Sequence, residues 1–161
     1  MLINYKVNIR KASVQDLTQL AKLRWDFQLE EQDDNDEFNK NDFIKSCAAF
    51  LTEGLESGQW VYWVTEENDE IVAHAFVHTI RMIPKPGGRI EDYFGYLTNV
   101  YTIPTFRGKG VGSKMLSHIK QWATSQDLEV LIVWPSENSL SFYKRAGFLA
   151  KNEVMELKIR D

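Results

Sequence analysis

Three features of this 161-residue chain predict an α/β (α+β) fold with a mixed, mostly antiparallel sheet flanked by helices. Two β-rich runs separated by a short polar stretch read as an antiparallel hairpin. A strand, a glycine-rich turn, a helix and a further strand read as a parallel crossover unit in the same sheet. Helical periodicity fills the front third. With 43% hydrophobic residues the chain can bury one core but is short for two, so residues 1–161 are expected to form a single domain.

The elements follow in order. Lys6 to Lys11 reads as a first strand, and Ser13, with Asp16 reaching back to it, opens a helix carrying Val14, Leu17, Leu20, Ala21 and Leu23 at helical spacing to about Glu31. The acidic stretch Gln32 to Glu37 breaks it. Asn41 or Asp42 can cap a second helix with Phe43, Cys47, Phe50 and Leu51 as its buried stripe, ending before Gly54 and Gly58 loosen the chain. Trp60 to Thr65 and Ile71 to Ile80 form the hairpin, which ends at Pro84, Pro86, Gly87 and Gly88. That loop reads equally as a substrate border and as a connector. Tyr93 to Thr102 is a strand stopped by Pro104; the next helix runs from Ser113 to about Gln126, followed by a strand at Val130 to Trp134 and a short helix around Tyr143. A last strand is expected near Val154 to Ile159.

A net charge of −4 gives no basic field for nucleic acid, so affinity for polyanions must be local. No membrane-spanning run or cleavable leader is evident, and one cysteine makes no internal disulfide, which together lead us to expect a cytoplasmic protein without membrane contact. No metal site is expected.

The sharpest local signal is Val100 to Ser113. Gly108, Gly110 and Gly112 lack a Cβ, so the backbone can take positive φ and bring N–H groups close to an anion. The following helix adds its unpaired first-turn N–H groups, and Arg107 and Lys109 add full charges. A pyrophosphate suits this combination. The P-loop pattern fails because Gly110 follows Lys109, and no dinucleotide fingerprint is evident.

The Arg-x-x-Gly-x-Gly turn of Arg107, Gly110 and Gly112, followed by the block Phe142, Tyr143, Lys144, Arg145, Ala146, Gly147, Phe148, resembles the signature of the GNAT superfamily of N-acetyltransferases. The motif resemblance covers roughly the last two fifths of the chain. It implies one N-acetyltransferase domain over residues 1–161 that uses acetyl-CoA (coenzyme A) as co-substrate, with two parallel strands splayed apart at the cofactor site. It further implies that Val100, Tyr101 and Thr102 contact the pantetheine arm and acetyl carbonyl, with the Val100 or Tyr101 N–H as oxyanion-type donor. The residues Arg107, Gly108, Lys109, Gly110, Val111, Gly112 and Ser113 would hold the pyrophosphate. Many relatives carry Asn seven positions before the tyrosine; here that position is Ser136, with Asn138 two residues on, and either can meet the cofactor arm.

Acetyl transfer to an amine needs a fixed thioester, a polarised carbonyl and a path for protons. Tyr143 is the expected general acid for the departing thiolate, since a free phenol titrates near ~10. A general base is harder to find. The strand before the turn offers Asn99, an amide; Glu91 and Asp92 precede it, and His74 and His78 share one strand face with Phe76. Water-mediated deprotonation is an equal candidate. Cys47 lies on an apolar stripe and is read as an inert core thiol.

In the family the first two helices and their connecting loop wall the acceptor site. Here Glu30, Glu31, Asp33, Asp34, Asp36 and Glu37 stand beside Trp25 and Phe27, which would suit a cationic amine if the acidic run is more than solvated surface. A homodimer is left open. The expected activity is acetyl transfer to a primary amine of a small molecule or peptide, and the alternative is an acyl-CoA-binding module without turnover.

Overall fold

Asn68 and Asp69 sit at φ 50° and 65°, a left-handed turn that Asn and Asp tolerate and that matches the twist of the strands it joins. It closes the hairpin of β2 (Trp60–Glu67) and β3 (Glu70–Arg81). In this computed structural model, which describes residues 6–32, 39–151 and 154–160, that hairpin is the middle of a five-stranded sheet in the order β1-β2-β3-β4-β5. β1 (Asn8–Lys11) and β4 (Tyr93–Thr102) join it antiparallel. β5 (Leu131–Ile132) pairs with β4 in parallel, as the crossover predicted. The hydrogen-bonded part of β5 is two residues, shorter than the Val130–Trp134 run, because its pairing stops at Gly95↔Leu131 and Tyr96↔Ile132.

Alternation along the hairpin divides the core between two sheet faces. Tyr62, Val64 and Phe76 pack with Leu17, Leu20, Ala21 and Leu51 of α1 (Leu17–Glu31) and α2 (Lys40–Ser57). Trp63, Ala73, Ala75 and Val77, on the opposite face, pack with Val111, Met115, Leu116 and Ile119 of α3 (Val111–Ser125) and with Tyr143 of α4 (Leu140–Arg145). The result is helices on both faces of one sheet, with a single sheet serving two cores.

Local chemistry sets the helix ends. Ser13 N–H donates to Asp16 Oδ2 at 2.7 Å, the reciprocal capping arrangement expected there, and a short 3₁₀ turn leads into α1. Arg10 ties Asp16 to the sheet, donating to both of its carboxylate oxygens and to Glu66. The cap of α2 is Asn39, whose Oδ1 accepts from the N–H groups of Asn41 and Asp42, so the helix begins earlier than Asn41 or Asp42 as caps would place it. α3 likewise begins at Val111, two residues before Ser113, because left-handed Gly110 (φ 78°) serves as its cap.

One expected element is absent. Residues 154–160 form no strand, and Met155, Leu157 and Ile159 are 97%, 82% and 81% exposed. Their alternation with Glu156, Lys158 and Arg160 is strand-like, but a strand exists only through a hydrogen-bonding neighbour, and this segment is paired with none of the described strands. The acidic residues Asp33, Asp34, Asp36 and Glu37 lie outside the described residues.

The α2–β2 contact depends on a missing side chain. A Cβ on Gly54 would collide with Tyr62 Oη, which donates to Leu51 O, and would stand 2.9 Å from Trp60 Cδ1. Gly54→Ala should therefore destabilise the fold by about 1–3 kcal/mol through overpacking, although alanine is the better helix former by about 0.5–1 kcal/mol. A urea midpoint equal to or above that of the parent protein would show that α2 can shift away from these rings.

Candidate active site

β4 has unequal edges. Toward β3 it is paired along its length; toward β5 pairing ends at Tyr96, so the edge from Leu97 onward faces none of the described strands. Partway along, β4 places two residues, Asn99 and Val100, between Thr98 and Tyr101 where β3 places only Ala75 between Phe76 and His74, and Asn99 takes φ 50°. This is a β-bulge, a device that bends a strand and re-aims its groups. Ile103 N–H donates to Val72 O at 3.0 Å, so by two-residue alternation Tyr101 N–H faces β3 while the N–H groups of Val100 and Thr102 face the open edge. Of the two oxyanion donors considered, Val100 is the one with an available direction.

The glycine turn stands directly beyond this edge. Gly108 and Gly110 have φ 71° and 78°, and a Cβ on either would meet nothing within 4 Å, so these positions answer to backbone conformation and leave the surface above them clear. Gly112 differs: a Cβ there would lie 3.2 Å from the Phe142 ring, so its smallness brings α3 against α4. Lys114 N–H makes the first helical bond, to Gly110 O, leaving the N–H groups of Val111, Gly112 and Ser113 without intrahelical partners. The Val111 side chain is core, so only its backbone can serve a ligand.

Arg107 does not point its charge outward unopposed. Its Nε donates to Thr102 O at 2.8 Å and its Nη2 to Glu30 Oε2 at 2.6 Å, while Tyr101 Oη donates to Glu30 Oε1 at 2.6 Å. The two hydrogen bonds count against the burial of Glu30 and hold its carboxyl below the usual range. The turn is thus clamped to α1, and Lys109, whose Nζ lies 5.3 Å from the Phe106 ring centre, is a second cation of the turn.

Tyr143 is 7% exposed, with Phe142 and Phe148 rings at 5.1 and 5.6 Å. Burial pushes its phenol up to about 12. It lines a cleft of about 960 Å³, between α3, β5 and α4, that also includes Leu97, Ser113 and Leu116. Ser136 and Asn138 are exposed on the 3₁₀ turn entering α4, where Ser136 Oγ donates to Ser139 Oγ at 3.0 Å. Ser113 in the first turn of α3 and Leu97, where the open edge begins, therefore share one cleft with Tyr143.

The base candidates fare differently. Glu91 and Asp92 stand at the opposite end of β4, more than ~20 Å from Val100 at ~3.3 Å per residue, and Glu91 pairs with Arg81. His74 is fully buried; its Nδ1–H donates to Asn99 O at 2.8 Å, which leaves Nε2 as a buried acceptor without a partner among the described residues. Burial, opposed by that hydrogen bond, pushes it down to about 4, so it is neutral at pH 7 and out of contact with solvent. His78 stacks on Trp60 at 4.5 Å. Burial raises the Cys47 thiol, as expected of an unreactive cysteine. Sequence reasoning weighed Asn99 only as an unsuitable base and passed over Arg24; Asn99 is the bulge residue, and Arg24 Nη1 donates to its Oδ1 at 2.9 Å. The i, i+3, i+4 spacing of Arg24 from Ala21 and Leu20 was the available signal.

This geometry is that of an acyl-CoA-dependent transferase, and comparison with known proteins agrees. Residues 16–148 match the family model described as the acetyltransferase (GNAT) family, and the chain belongs to that family. It is therefore an acetyl-CoA-dependent acyltransferase, with acetyl-CoA as co-substrate. A predicted acetyltransferase from Clostridium acetobutylicum, solved with acetyl-CoA, superposes with TM-score 0.79 at 28% identity over 95% of this chain and 96% of its own. A glucosamine 6-phosphate N-acetyltransferase of Trypanosoma brucei brucei is 32% identical over 98 residues, 55% of this chain and 67% of that protein. The glucosamine-6-phosphate N-acetyltransferase of Arabidopsis thaliana shares the fold, with TM-score 0.68 at 18% identity over 96% of this chain and 99% of its own.

His74 couples the site to acid. Its folded-state value lies below the ordinary 6.5, so its neutral state contributes fully above pH 6.5 and that contribution is lost as pH falls toward about 4. Between pH 7 and pH 5 unfolding should become easier by about 2 kcal/mol, and His74→Gln should flatten that slope. Urea titrations at the two pH values test this; an unchanged slope in the variant would assign the acid sensitivity elsewhere.

Proposed function

We propose that this chain moves the acetyl group of acetyl-CoA to a primary amine of a small molecule or peptide by direct attack, within one N-acetyltransferase domain spanning residues 1–161. The observation that carries this reading is the unpaired outer edge of β4 at Val100, adjoining a helix N-terminus with unpaired N–H groups and a buried tyrosine.

The backbone from Arg107 to Ser113, with Gly108, Gly110, Val111 and Gly112 between, receives the pyrophosphate. Its free N–H groups and the positive helix end act together with Lys109, while Arg107 contributes mainly by holding the turn against Glu30 and Thr102. Val100 and Thr102 then present their edge to the pantetheine arm, and Tyr101 serves through its side chain, which bonds Glu30. Ser136 and Asn138 stand where the arm leaves the strands. Val100 N–H polarises the acetyl carbonyl and stabilises the negative oxygen formed when nitrogen attacks.

The amine must arrive or become neutral before it attacks. Among the described residues no side chain at the open edge is a suitable base, since Asn99 is an amide and His74 is sealed, so water carries that proton away. As the tetrahedral carbon collapses, the carbon–sulfur bond breaks and the thiolate takes a proton from Tyr143, while the proton that the nitrogen sheds on becoming an amide passes to water, from which the phenolate is reprotonated. A phenol near 12 is a weaker acid than a free tyrosine, so its contribution falls at the lower end of the range for general acids, ~10²-fold. It also stays protonated through the range of about pH 8–10 in which an amine loses its proton. The curated relative named for glucosamine 6-phosphate puts phosphorylated amino sugars among the first acceptors to try. Thiol release from acetyl-CoA over a panel of polyamines, amino acids, amino sugars and N-terminal peptides tests the assignment, and a folded protein that binds acetyl-CoA yet acetylates none of them would favour the acyl-CoA-binding module.

Gly110→Asp should weaken acetyl-CoA by ~10-fold or more, since a carboxylate would face the phosphates from a clear surface and a left-handed φ would strain the new residue. Calorimetry showing parental affinity in the folded variant would move the pyrophosphate elsewhere.

Tyr143→Phe should lower kcat by ~10²-fold with acetyl-CoA affinity nearly intact, and the wild-type rate should rise as the amine deprotonates, with no fall up to pH 10. A variant as fast as wild type, with chemistry rather than product release limiting, would assign the proton to solvent or another residue.

A further inference from the structure

α1 faces the sheet with Leu17, Leu20 and Ala21, all buried, and the next position on that stripe by helical spacing is Arg24. A guanidinium is an unusual continuation of an apolar stripe. It is half-buried, and burial, the largest influence on it, lowers its pKa. Its hydrogen-bonding partners are neutral. Nη1 donates to Asn99 Oδ1 at 2.9 Å, and the Gln28 amide, with its oxygen and nitrogen exchanged as the surrounding donors require, accepts from Nη1 and Nη2 at 3.2 and 3.3 Å. The Phe27 ring lies 5.5 Å from its central carbon. Among the described residues no carboxylate comes within ion-pair distance; Glu31, like the Cys47 and Tyr96 side chains, acts on it only through space. By contrast the neighbouring acid, Glu30, has both oxygens taken by Tyr101 and Arg107.

A buried cation is costly unless an anion compensates it. Asn99, which Arg24 grips, is the bulge residue next to Val100, so a charge without a carboxylate partner among the described residues sits beside the strand position that would hold the acetyl carbonyl. We propose that Arg24 is the counter-charge for an anionic group, a phosphate or a carboxylate, carried by the same acceptor molecule that presents the amine. The inference rests on the acetyl-transfer reading above and reverses the cationic acceptor that the acidic residues around Glu30 suggested. A planar guanidinium with free donors matches either oxyanion in a bidentate fashion. Rejection of a neutral analogue follows, because that analogue leaves the half-buried cation unpaired.

The test uses matched amines that differ only in the anion: an amino acid against its carboxamide, and a phosphorylated amino sugar against the parent sugar. In the full chain the charged member of at least one pair should have a kcat/KM ~10²-fold or more above its neutral partner, and which pair shows it separates phosphate from carboxylate. Arg24→Gln should shrink that ratio by ~10-fold or more, Arg24→Lys should restore part of it, and acetyl-CoA affinity by calorimetry should stay unchanged in both. A role confined to bracing Asn99 would slow both members of a pair equally and leave the ratio as it was, which would overturn the proposal. Should Arg24→Gln not fold, the wild-type ratios and Arg24→Lys decide. Should no amine be acetylated, the transfer reading falls by itself, and calorimetry with the same pairs in the presence of coenzyme A decides this one: binding of the charged member that is lost in Arg24→Gln supports it, whereas equal or absent binding of both members overturns it.

Discussion

The unequal pairing of β4 is the constraint on which the rest of the structure depends. A strand inside a sheet ordinarily has its backbone groups satisfied on both edges, and leaving one edge open is costly unless water or a ligand completes it. Here β4 is braced along β3, whereas its contact with β5 and the residues leading into it is confined to Tyr93–Tyr96. The opening is therefore a product of topology. The crossover through α3 must place β5 parallel to β4, and the parallel ladder stops at Tyr96, before the bulge at Asn99 turns the strand.

Around that opening, side chains act as braces as much as ligands. Arg107 reaches back to Thr102 O and across to Glu30, joining the glycine turn, β4 and α1 through one guanidinium. Tyr101 completes the link by donating to the same carboxylate, with its ring 5.0 Å from Phe27 and 5.6 Å from His74. Beneath them His74 holds the Asn99 carbonyl from the buried side, and Arg24 holds its amide oxygen from above. Asn99 is thus gripped at both its polar oxygens, which is how a residue with positive φ persists in a strand.

Much of this was legible in the chain. Alternation located the hairpin, helical spacing located α1 and α2, and the glycine turn with its following helix marked the phosphate-binding candidate, because those signals are local and each residue carries its own part of them. Helix starts were read less well: Asn39 rather than Asn41 or Asp42 caps α2, since several polar residues in a row satisfy the same local rule and only the backbone path selects among them. The segment 154–160 carries the alternation of a strand, yet forms none here, because alternation describes a face and not a neighbour.

What the sequence by itself determined is the class of fold, the order of its elements as far as α4, the family and the backbone character of the turn, all of which follow from spacing along one chain. Charge pairing was decided only by the tertiary structure. Glu30 and Arg107 are 77 residues apart, and Arg24 and Asn99 are 75 apart, so nothing local tells that one acid is spent on a brace while one arginine is left with neutral partners. The same holds for His74, whose burial and single carbonyl partner take it out of proton transfer. Electrostatic roles depend on distance and solvent access, and both are set by packing between segments that the sequence keeps far apart.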